Sequence, residues 1–289
     1  MRDDVALLGL EEVGEGRFRF VVAEELSRLD GRLYGGTAIA ASIVAAELVS
    51  DRRPLWMTTQ FVSTVAEGSP VDMVAEVLAP GHRTNQVRVT GTSEDGSTIF
   101  ASLGATGHPR EGGLDGGLVS CPAVARPDES QPWSSPFAGM ARRAGIEAGP
   151  EPESQRGFTQ LIELRQAQLL DEVDHGPGRI CLWIRRRDRE PLTPAVAAFA
   201  ADMVPMSVAM AFGVVAGGTS LDNTIRIGDY RPSEWMLLDL RPHGAAGDYG
   251  HGIAHIWSPE GRWLATASQT AAMRRLDEDF LRRVAGRRS

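Results

Sequence analysis

The chain has 289 residues, of which 42% are hydrophobic, and it carries a formal net charge of −8. This composition is sufficient for a packed core of one large domain or two ordinary ones, and it excludes a disordered chain. An acidic chain of this kind also argues against nucleic acid or an anionic membrane surface as the partner.

All basic residues are arginines, which excludes mechanisms that need a lysine Schiff base or an amine nucleophile. The two cysteines, Cys121 and Cys181, lie outside any CxxC pattern, which favours a reducing cytoplasm although a disulfide stays open. Residues 1–4 do not begin a secretory signal, and no run of about 18 apolar residues predicts a membrane span. We therefore expect a cytoplasmic protein.

The first half of the chain is predicted to form one central helix followed by four strands. A short amphipathic segment at Leu7–Val13 and a strand at Arg17–Val22 come first. Small and β-branched residues then predict a buried helix over Thr37–Val49, because a half-exposed helix would carry a polar stripe. The four strands that follow, with a hairpin signal at Asp95-Gly96, are Met57–Val65, Val71–Leu78, Gln86–Thr92 and Thr98–Thr106.

Residues 108–156 are rich in Gly, Pro, Ser and Glu, which predicts a linker between two repeats at 1–107 and 157–289. The second half has helical pieces at Thr193–Ala201 and Met203–Val215. Its predicted strands are Phe158–Leu164, Ile180–Ile184, Ser220–Ile227, Glu234–Leu240, Tyr249–Trp257 and Trp263–Met273. The order of elements thus repeats that of the first half.

An overlay of the halves places Gly36 on Ala201 and Met73 on Met236. A repeated order of helix and four strands predicts an internal duplication. Short turns between successive strands favour antiparallel sheets, because parallel neighbours would need long crossover connections.

Asp202 is an acid inside an apolar helical segment, just before Pro205, and is predicted at or near the N-cap of the second helical piece. A capping role alone would explain it. A partly buried carboxylate held by helix N–H groups would equally suit a water molecule. Ser220 and Gln269 lie at predicted strand positions, where a turn entry and a solvated side chain are the respective alternatives.

Metal binding is not expected. His251 and His255 have the spacing of a zinc-binding pair on a helix, but their segment is predicted to be a strand. The sequence also lacks a G-x-S-x-G nucleophile elbow and a phosphate-binding glycine loop.

Taken in order, these segments resemble the acyl-CoA thioesterase II family, which has a double hotdog fold. The matching stretches cover most of the chain outside the linker: Leu33-Tyr34-Gly35-Gly36, Gln60–Gly68, Pro80–Val89, Ala200–Pro205, Thr219–Asn223, Arg231–Leu238 and Gly261–Met273. The resemblance implies an α+β fold in which two helix-on-antiparallel-sheet repeats form one continuous sheet.

The resemblance also implies a site. The Asp, Thr or Ser, and Gln that activate the hydrolytic water in that family fall on Asp202, Ser220 and Gln269, with Ser220 where Thr is common. The first half has Thr37 opposite Asp202 and Gly104 opposite Gln269, so one competent site per chain is implied. Asp202 would be the general base in direct hydrolysis of a fatty acyl-CoA thioester.

The resemblance implies no cofactor, since coenzyme A is part of the substrate, and a homo-oligomer is expected. Helix N–H groups near Gly36 would stabilise the oxyanion, and Thr219 is the alternative hydroxyl if the register is shifted by one. Candidates to bind the coenzyme A phosphates are Arg83, Arg226 and Arg231.

A hotdog protein that binds acyl-CoA or a partner without turnover remains an alternative. An enoyl-CoA hydratase is less well supported, because the family pattern asks for His where Ser207 stands.

Overall fold

The computed structural model describes residues 2–133, 157–170, 176–214 and 216–276. Its helices are α1 (Arg2–Leu7), α2 (Gly35–Ser50), α3 (Pro194–Ala201) and α4 (Val204–Ala211). Its strands are β1 (Glu11–Gly14), β2 (Arg17–Val21), β3 (Arg53–Phe61), β4 (Pro70–Ala79), β5 (Thr84–Thr92), β6 (Thr98–Gly107), β7 (Gln131–Pro132), β8 (Ile162–Gln166), β9 (Ile180–Arg186), β10 (Ala216–Ile227), β11 (Met236–Ala246), β12 (Tyr249–Trp257) and β13 (Trp263–Arg275).

All of these strands belong to one antiparallel sheet, in the order β1-β2-β4-β5-β6-β3-β10-β13-β12-β11-β9-β8-β7. The two halves meet where β3 pairs with β10. Outward from this seam the order is the same on both sides: the first strand after the helix, then the fourth, the third and the second. Helix α2 packs on β3 to β6, and α4 packs on β10 to β13. The predicted double hotdog, with one continuous sheet, is confirmed.

Three β-bulges recur at matching places in the two halves, which shows that the duplication extends to the hydrogen-bond register. Each bulge has one extra residue, and the two extra residues of a matching pair lie on equivalent strands of the two repeats. The pairs are Leu55 and Leu221, Leu78 and His243, and Ile99 and Leu264.

This register corrects one detail of the overlay. Met73 pairs with Gly91, the last residue before a bulge, and Leu238 pairs with Ile256 at the same place in the second half. Met73 therefore corresponds to Leu238, two residues after Met236. A shift of two residues keeps a side chain on the same face of a strand, which is why the hydrophobic pattern alone did not reveal the error.

Several predicted boundaries were wrong. The predicted amphipathic segment Leu7–Val13 is divided between the end of α1 and the start of β1. The strand predicted at Met57–Val65 ends at Phe61 instead, because Val62 and Ser63 both donate to the carbonyl of Ile99 and so end the ladder. Strand β8 begins only after a 3₁₀ turn at Gly157–Gln160.

The core lies between the sheet and its helices. Residues 36–46 of α2 are all buried, as its lack of a polar stripe predicted, since the helix contacts both the sheet and α3.

The segment Pro194–Ala211 is long and apolar enough to cross a membrane by length and composition, but 78% of it is buried in the fold. This segment is therefore part of the hydrophobic core. It breaks into α3 and α4 at Asp202, and α4 ends at Ala211; Val215, where the helix was predicted to end, lies outside the described residues.

The predicted linker is described as far as residue 133. Its strand β7 pairs with β8 at the edge of the sheet, and Ala125 accepts a hydrogen bond from the indole of Trp183 at 2.8 Å. Cys121 and Val124 pack against a small cluster that includes Cys181, Trp183 and Trp257. The two cysteines are free thiols.

Candidate active site

Asp202 lies at the break between α3 and α4. It is the C-terminal cap residue of α3 and directly precedes Met203, the N-cap of α4, so it lies near the N-cap as predicted but does not cap α4 itself. The break follows from Pro205, which is tolerated in the first turn of a helix and not in its interior. The Asp202 carboxylate instead reaches the other repeat, where its Oδ2 accepts the backbone N–H of Gly36 at 2.9 Å. It therefore interacts with the N-terminus of α2, where a negative charge is stabilised.

Strand β10 presents two polar side chains to the other oxygen of this carboxylate. Ser220 Oγ donates to Asp202 Oδ1 at 3.1 Å, and Asn223 Nδ2 donates to the same atom at 3.4 Å. Residues three apart on a regular strand point to opposite faces, but the bulge at Leu221 brings Ser220 and Asn223 to one face. Asp222 supports the bulge by accepting the N–H of Thr270 at 2.9 Å.

Gln269 comes from β13, directly opposite Asn223 in the ladder. Its Nε2 donates to Asp202 Oδ1 and, at 2.7 Å, to Ser220 Oγ. The side chain is 2% exposed, so the alternative of a solvated glutamine was wrong. The structure thus brings together the three residues singled out in the sequence, Asp202, Ser220 and Gln269.

Asn223 is the site residue that the sequence analysis missed. It is fully buried, and its only signal was its position in the matching stretch Thr219–Asn223. Placing it at the site requires the pairing of β10 with β13, which local sequence does not reveal. Among the described residues, the Oδ1 of Asn223 and the Oε1 of Gln269 are buried without a hydrogen-bond partner. Both amides therefore keep acceptor capacity beside the carboxylate.

Burial raises the pKa of Asp202 from its ordinary value of 3.8 to about 6. Hydrogen bonds from Asn223, Ser220 and Gly36, and then the positive charge of Arg28, act against this rise. The result is a carboxylate that is ionised at neutral pH yet more basic than an exposed aspartate, as general-base catalysis requires.

The Gly35-Gly36 pair allows the two repeats to approach this closely. A Cβ on Gly35 would lie 2.6 Å from Asp202 Oδ2, and a Cβ on Gly36 would lie 2.3 Å from the carbonyl oxygen of Phe199. Any side chain at either position would therefore push α2 away from Asp202.

Models of two acyl-CoA thioesterase domains match the sequence, the N-terminal domain over residues 23–107 and the C-terminal domain over residues 127–273. The chain belongs to the acyl-CoA thioesterase family. No curated protein matches this thioesterase-family chain significantly.

Solved structures with the same architecture support the family's fold for this chain. A candidate thioesterase from Novosphingobium aromaticivorans is 28% identical, with a TM-score of 0.78 over 92% of this chain and 98% of its own. A hot dog fold protein of unknown function from Alicyclobacillus acidocaldarius is 20% identical, with a TM-score of 0.77 over 96% and 100%. The acyl-CoA thioesterase II TesB2 from Mycobacterium marinum is 17% identical, with a TM-score of 0.71 over 95% and 99%.

Four predicted substrate contacts do not join this constellation. Thr219 is exposed beside Ser220. Arg226 is exposed on the opposite face of β10 from Asn223, as their odd spacing requires beyond the bulge. Arg231 is exposed and pairs with Asp229 at 3.4 Å. Phe61 marks the site end of β3, because a Cβ on Gly35 would lie 3.0 Å from its ring. Arg83 lies next to Thr84, which pairs with Gly107 at the opposite end of these strands.

The two histidines with zinc-like spacing are both on a strand. His251 is exposed on β12, and the buried His255 shares a hydrogen bond of 3.0 Å with Thr266 through its Nδ1. In the described part of the chain, no group of three or more His, Cys, Asp or Glu side chains is arranged to hold a metal ion. That the reaction needs no cofactor stays a prediction.

Proposed function

We propose that the chain hydrolyses the thioester bond of fatty acyl-CoA, releasing the free acid and coenzyme A, with Asp202 as general base. Family membership supports a hydrolase that acts on thioesters. The observation that carries the finer proposal is the convergence of Ser220, Asn223 and Gln269 on one oxygen of a buried carboxylate.

In the proposed reaction, Asp202 Oδ1 takes a proton from a water molecule held in place by Ser220 and Gln269. The water oxygen attacks the thioester carbonyl carbon, and the C–S bond breaks as the tetrahedral intermediate collapses. The proton held by Asp202 then passes to the departing sulfur, so that free acid and thiol result. A thioester is electrophilic enough for this direct route, and no covalent serine intermediate is required.

The two competing functions, a hydratase and a binding protein without turnover, each fit the site less well than thioester hydrolysis. A hydratase of the type considered in the sequence analysis would need His at position 207. Ser207 stands there, and its hydroxyl donates to the carbonyl of Val204 at 2.7 Å. A binding protein without turnover would need no base, and so gains nothing from a carboxylate whose pKa is raised toward neutrality. A homo-oligomer and a cytoplasmic location stay predictions.

The test is release of free thiol from acyl-CoA thioesters of several chain lengths by the wild type and by Asp202→Asn. We expect turnover by the wild type and its loss in the variant, while Asp72→Asn, an exposed acid of β4 paired with Arg19, serves as the matched control. Tight binding of acyl-CoA without thiol release at any length would favour the binding interpretation. Turnover that survives in Asp202→Asn would remove Asp202 from the mechanism.

A further inference from the structure

Tyr34 has a buried hydroxyl group with no partner among the described residues. The residue is 4% exposed, and its phenol oxygen makes no hydrogen bond. An unpaired buried hydroxyl costs about 1–3 kcal/mol, and nearly all buried polar groups in native proteins have partners. A group of this kind next to a candidate active site points to a ligand that would pair with it.

The ring of Tyr34 is held rigidly over the start of α2. Tyr34 is the N-cap of that helix, stacks on Phe158 at a centroid distance of 4.2 Å and meets Phe199 edge-on at 5.1 Å. A Cβ on Gly36 would lie 2.4 Å from Cε1 and 2.9 Å from Cζ of the ring. The hydroxyl end of the ring therefore covers Gly36, the residue whose N–H binds Asp202.

The proposed reaction needs a hydrogen-bond donor at this place. Attack by water puts negative charge on the thioester oxygen, and a preorganised donor stabilises that charge. The sequence analysis gave this role to helix N–H groups near Gly36, and the N–H of Gly36 itself is already bonded to Asp202 Oδ2 at 2.9 Å. The hydroxyl of Tyr34 is a fixed and unused donor beside it.

We propose that Tyr34 is a further catalytic residue, whose hydroxyl donates a hydrogen bond to the thioester carbonyl oxygen and stabilises the oxyanion. The role rests on the proposed hydrolysis. Burial, and secondly the charge of Asp202, raises the pKa of Tyr34 well above its ordinary value. The phenol therefore keeps its proton, and hence its donor, at the neutral pH at which Asp202 is ionised.

The variant Tyr34→Phe tests this directly, because it keeps the stacked ring and removes only the hydroxyl. Loss of one oxyanion donor lowers kcat by about 100- to 1,000-fold in known cases. We expect a fall of that order in kcat, against a rise in KM of no more than about fivefold, because the ground-state carbonyl loses only one ordinary hydrogen bond. Thermal stability should stay the same or rise, since an unpaired buried hydroxyl is removed.

Tyr230 provides the matched control. It is a partly buried tyrosine whose buried hydroxyl likewise has no partner in the described part of the chain, but its charged neighbour is Asp4 rather than Asp202. Tyr230→Phe should keep the wild-type kcat. An equal loss of kcat in both variants would overturn the proposal, because it would reflect removal of any buried hydroxyl.

A binding measurement separates this proposal from the proposed function. The probes are an acyl-CoA ketone, in which CH₂ replaces the sulfur, and an alkyl-CoA thioether, which lacks the carbonyl. Tyr34→Phe should bind the ketone about fivefold more weakly, the equivalent of one hydrogen bond, and bind the thioether equally well. That pattern in a chain without turnover would support Tyr34 while the hydrolysis proposal fails. Equal affinity of wild type and variant for the ketone would overturn the role of Tyr34 even if the chain turns over.

Discussion

The two halves of the molecule share one backbone plan but differ at every position of the candidate site. With the bulges aligned, Ser220 corresponds to Pro54, Asn223 to Met57 and Gln269 to Gly104. Asp202 corresponds to Thr37 by the sequence overlay. Pairing, bulges and helix packing therefore maintain the fold in both halves, whereas the four side chains that meet around the Asp202 carboxylate occur in only one of them.

The first half uses the same positions for packing. A Cβ on Gly104 would lie 2.5 Å from the carbonyl oxygen of Trp56, which leaves no room for a glutamine. Met57 is a buried apolar residue, and the hydroxyl of Thr37 donates to the carbonyl of Leu26 at 2.9 Å. The first half nevertheless contributes to the site, because its helix α2 provides the N–H that binds Asp202. The halves are thus complementary rather than redundant.

The largest loss of activity should come from Asp202→Asn, which removes the proposed base and leaves a side chain of similar shape. A positioned general base contributes about 100- to 10,000-fold to rate. We expect kcat/KM for thioester hydrolysis to fall within that range at pH 7. Release of free thiol measures it, and a loss of less than tenfold would show that the base lies elsewhere.

The same variant should gain stability relative to the wild type as the pH rises from 4 to above 6. The folded-state pKa of Asp202 is raised to about 6 from an ordinary 3.8, so its stability contribution is present below pH 4 and lost as the pH rises through 6. Two pKa units correspond to about 3 kcal/mol, and the amide of the variant cannot ionise. Melting curves from pH 4 to pH 8 should therefore diverge as the pH rises. Parallel curves would contradict the burial of an ionised carboxylate.

A smaller loss is expected from Ser220→Ala. The variant removes a hydroxyl that both accepts from Gln269 and donates to Asp202, so the water would lose one of its orienting groups. We expect kcat to fall about 10- to 100-fold, less than for the base itself. Ser220→Thr should retain activity because the hydroxyl remains. Thr219→Ala, one residue away and exposed, is the control, and a larger loss there would assign the hydroxyl to Thr219.

The sequence predicted the repeated helix-and-sheet plan because buried helices and short strands leave strong local patterns. It also led to Asp202, Ser220 and Gln269 through a family resemblance. It did not reveal Asn223, whose role depends on cross-strand register, or the capping of α2 by Asp202 from the other repeat. The three arginine candidates lie outside the cluster around Asp202, and their binding of the coenzyme A phosphates stays a prediction. A charge in the sequence does not reveal which face or end of a strand it occupies, as Arg226 shows.

A change in pH dependence is expected from Asn223→Ala. This variant removes a hydrogen bond that favours the ionised form of Asp202, so the pKa of Asp202 should rise above its value of about 6. The acid limb of the kcat/KM profile should therefore move to higher pH, with more activity lost at pH 6 than at pH 8. An unchanged limb, or one displaced to lower pH, would show that Asn223 does not act through Asp202.

The smallest effect on catalysis is expected from Thr37→Val in the first half. The change removes the hydroxyl that bonds the carbonyl of Leu26, but that carbonyl keeps a second bond of 3.0 Å from the N–H of Tyr34. The cost should therefore be near one ordinary hydrogen bond, about 1 kcal/mol, seen as a slightly lower melting temperature. The kcat of the folded protein should be unchanged, because Thr37 occupies the place of Asp202 without its chemistry. A fall in kcat comparable to that of Ser220→Ala would mean that the first half provides more to catalysis than the N–H of Gly36 and the proposed donor Tyr34.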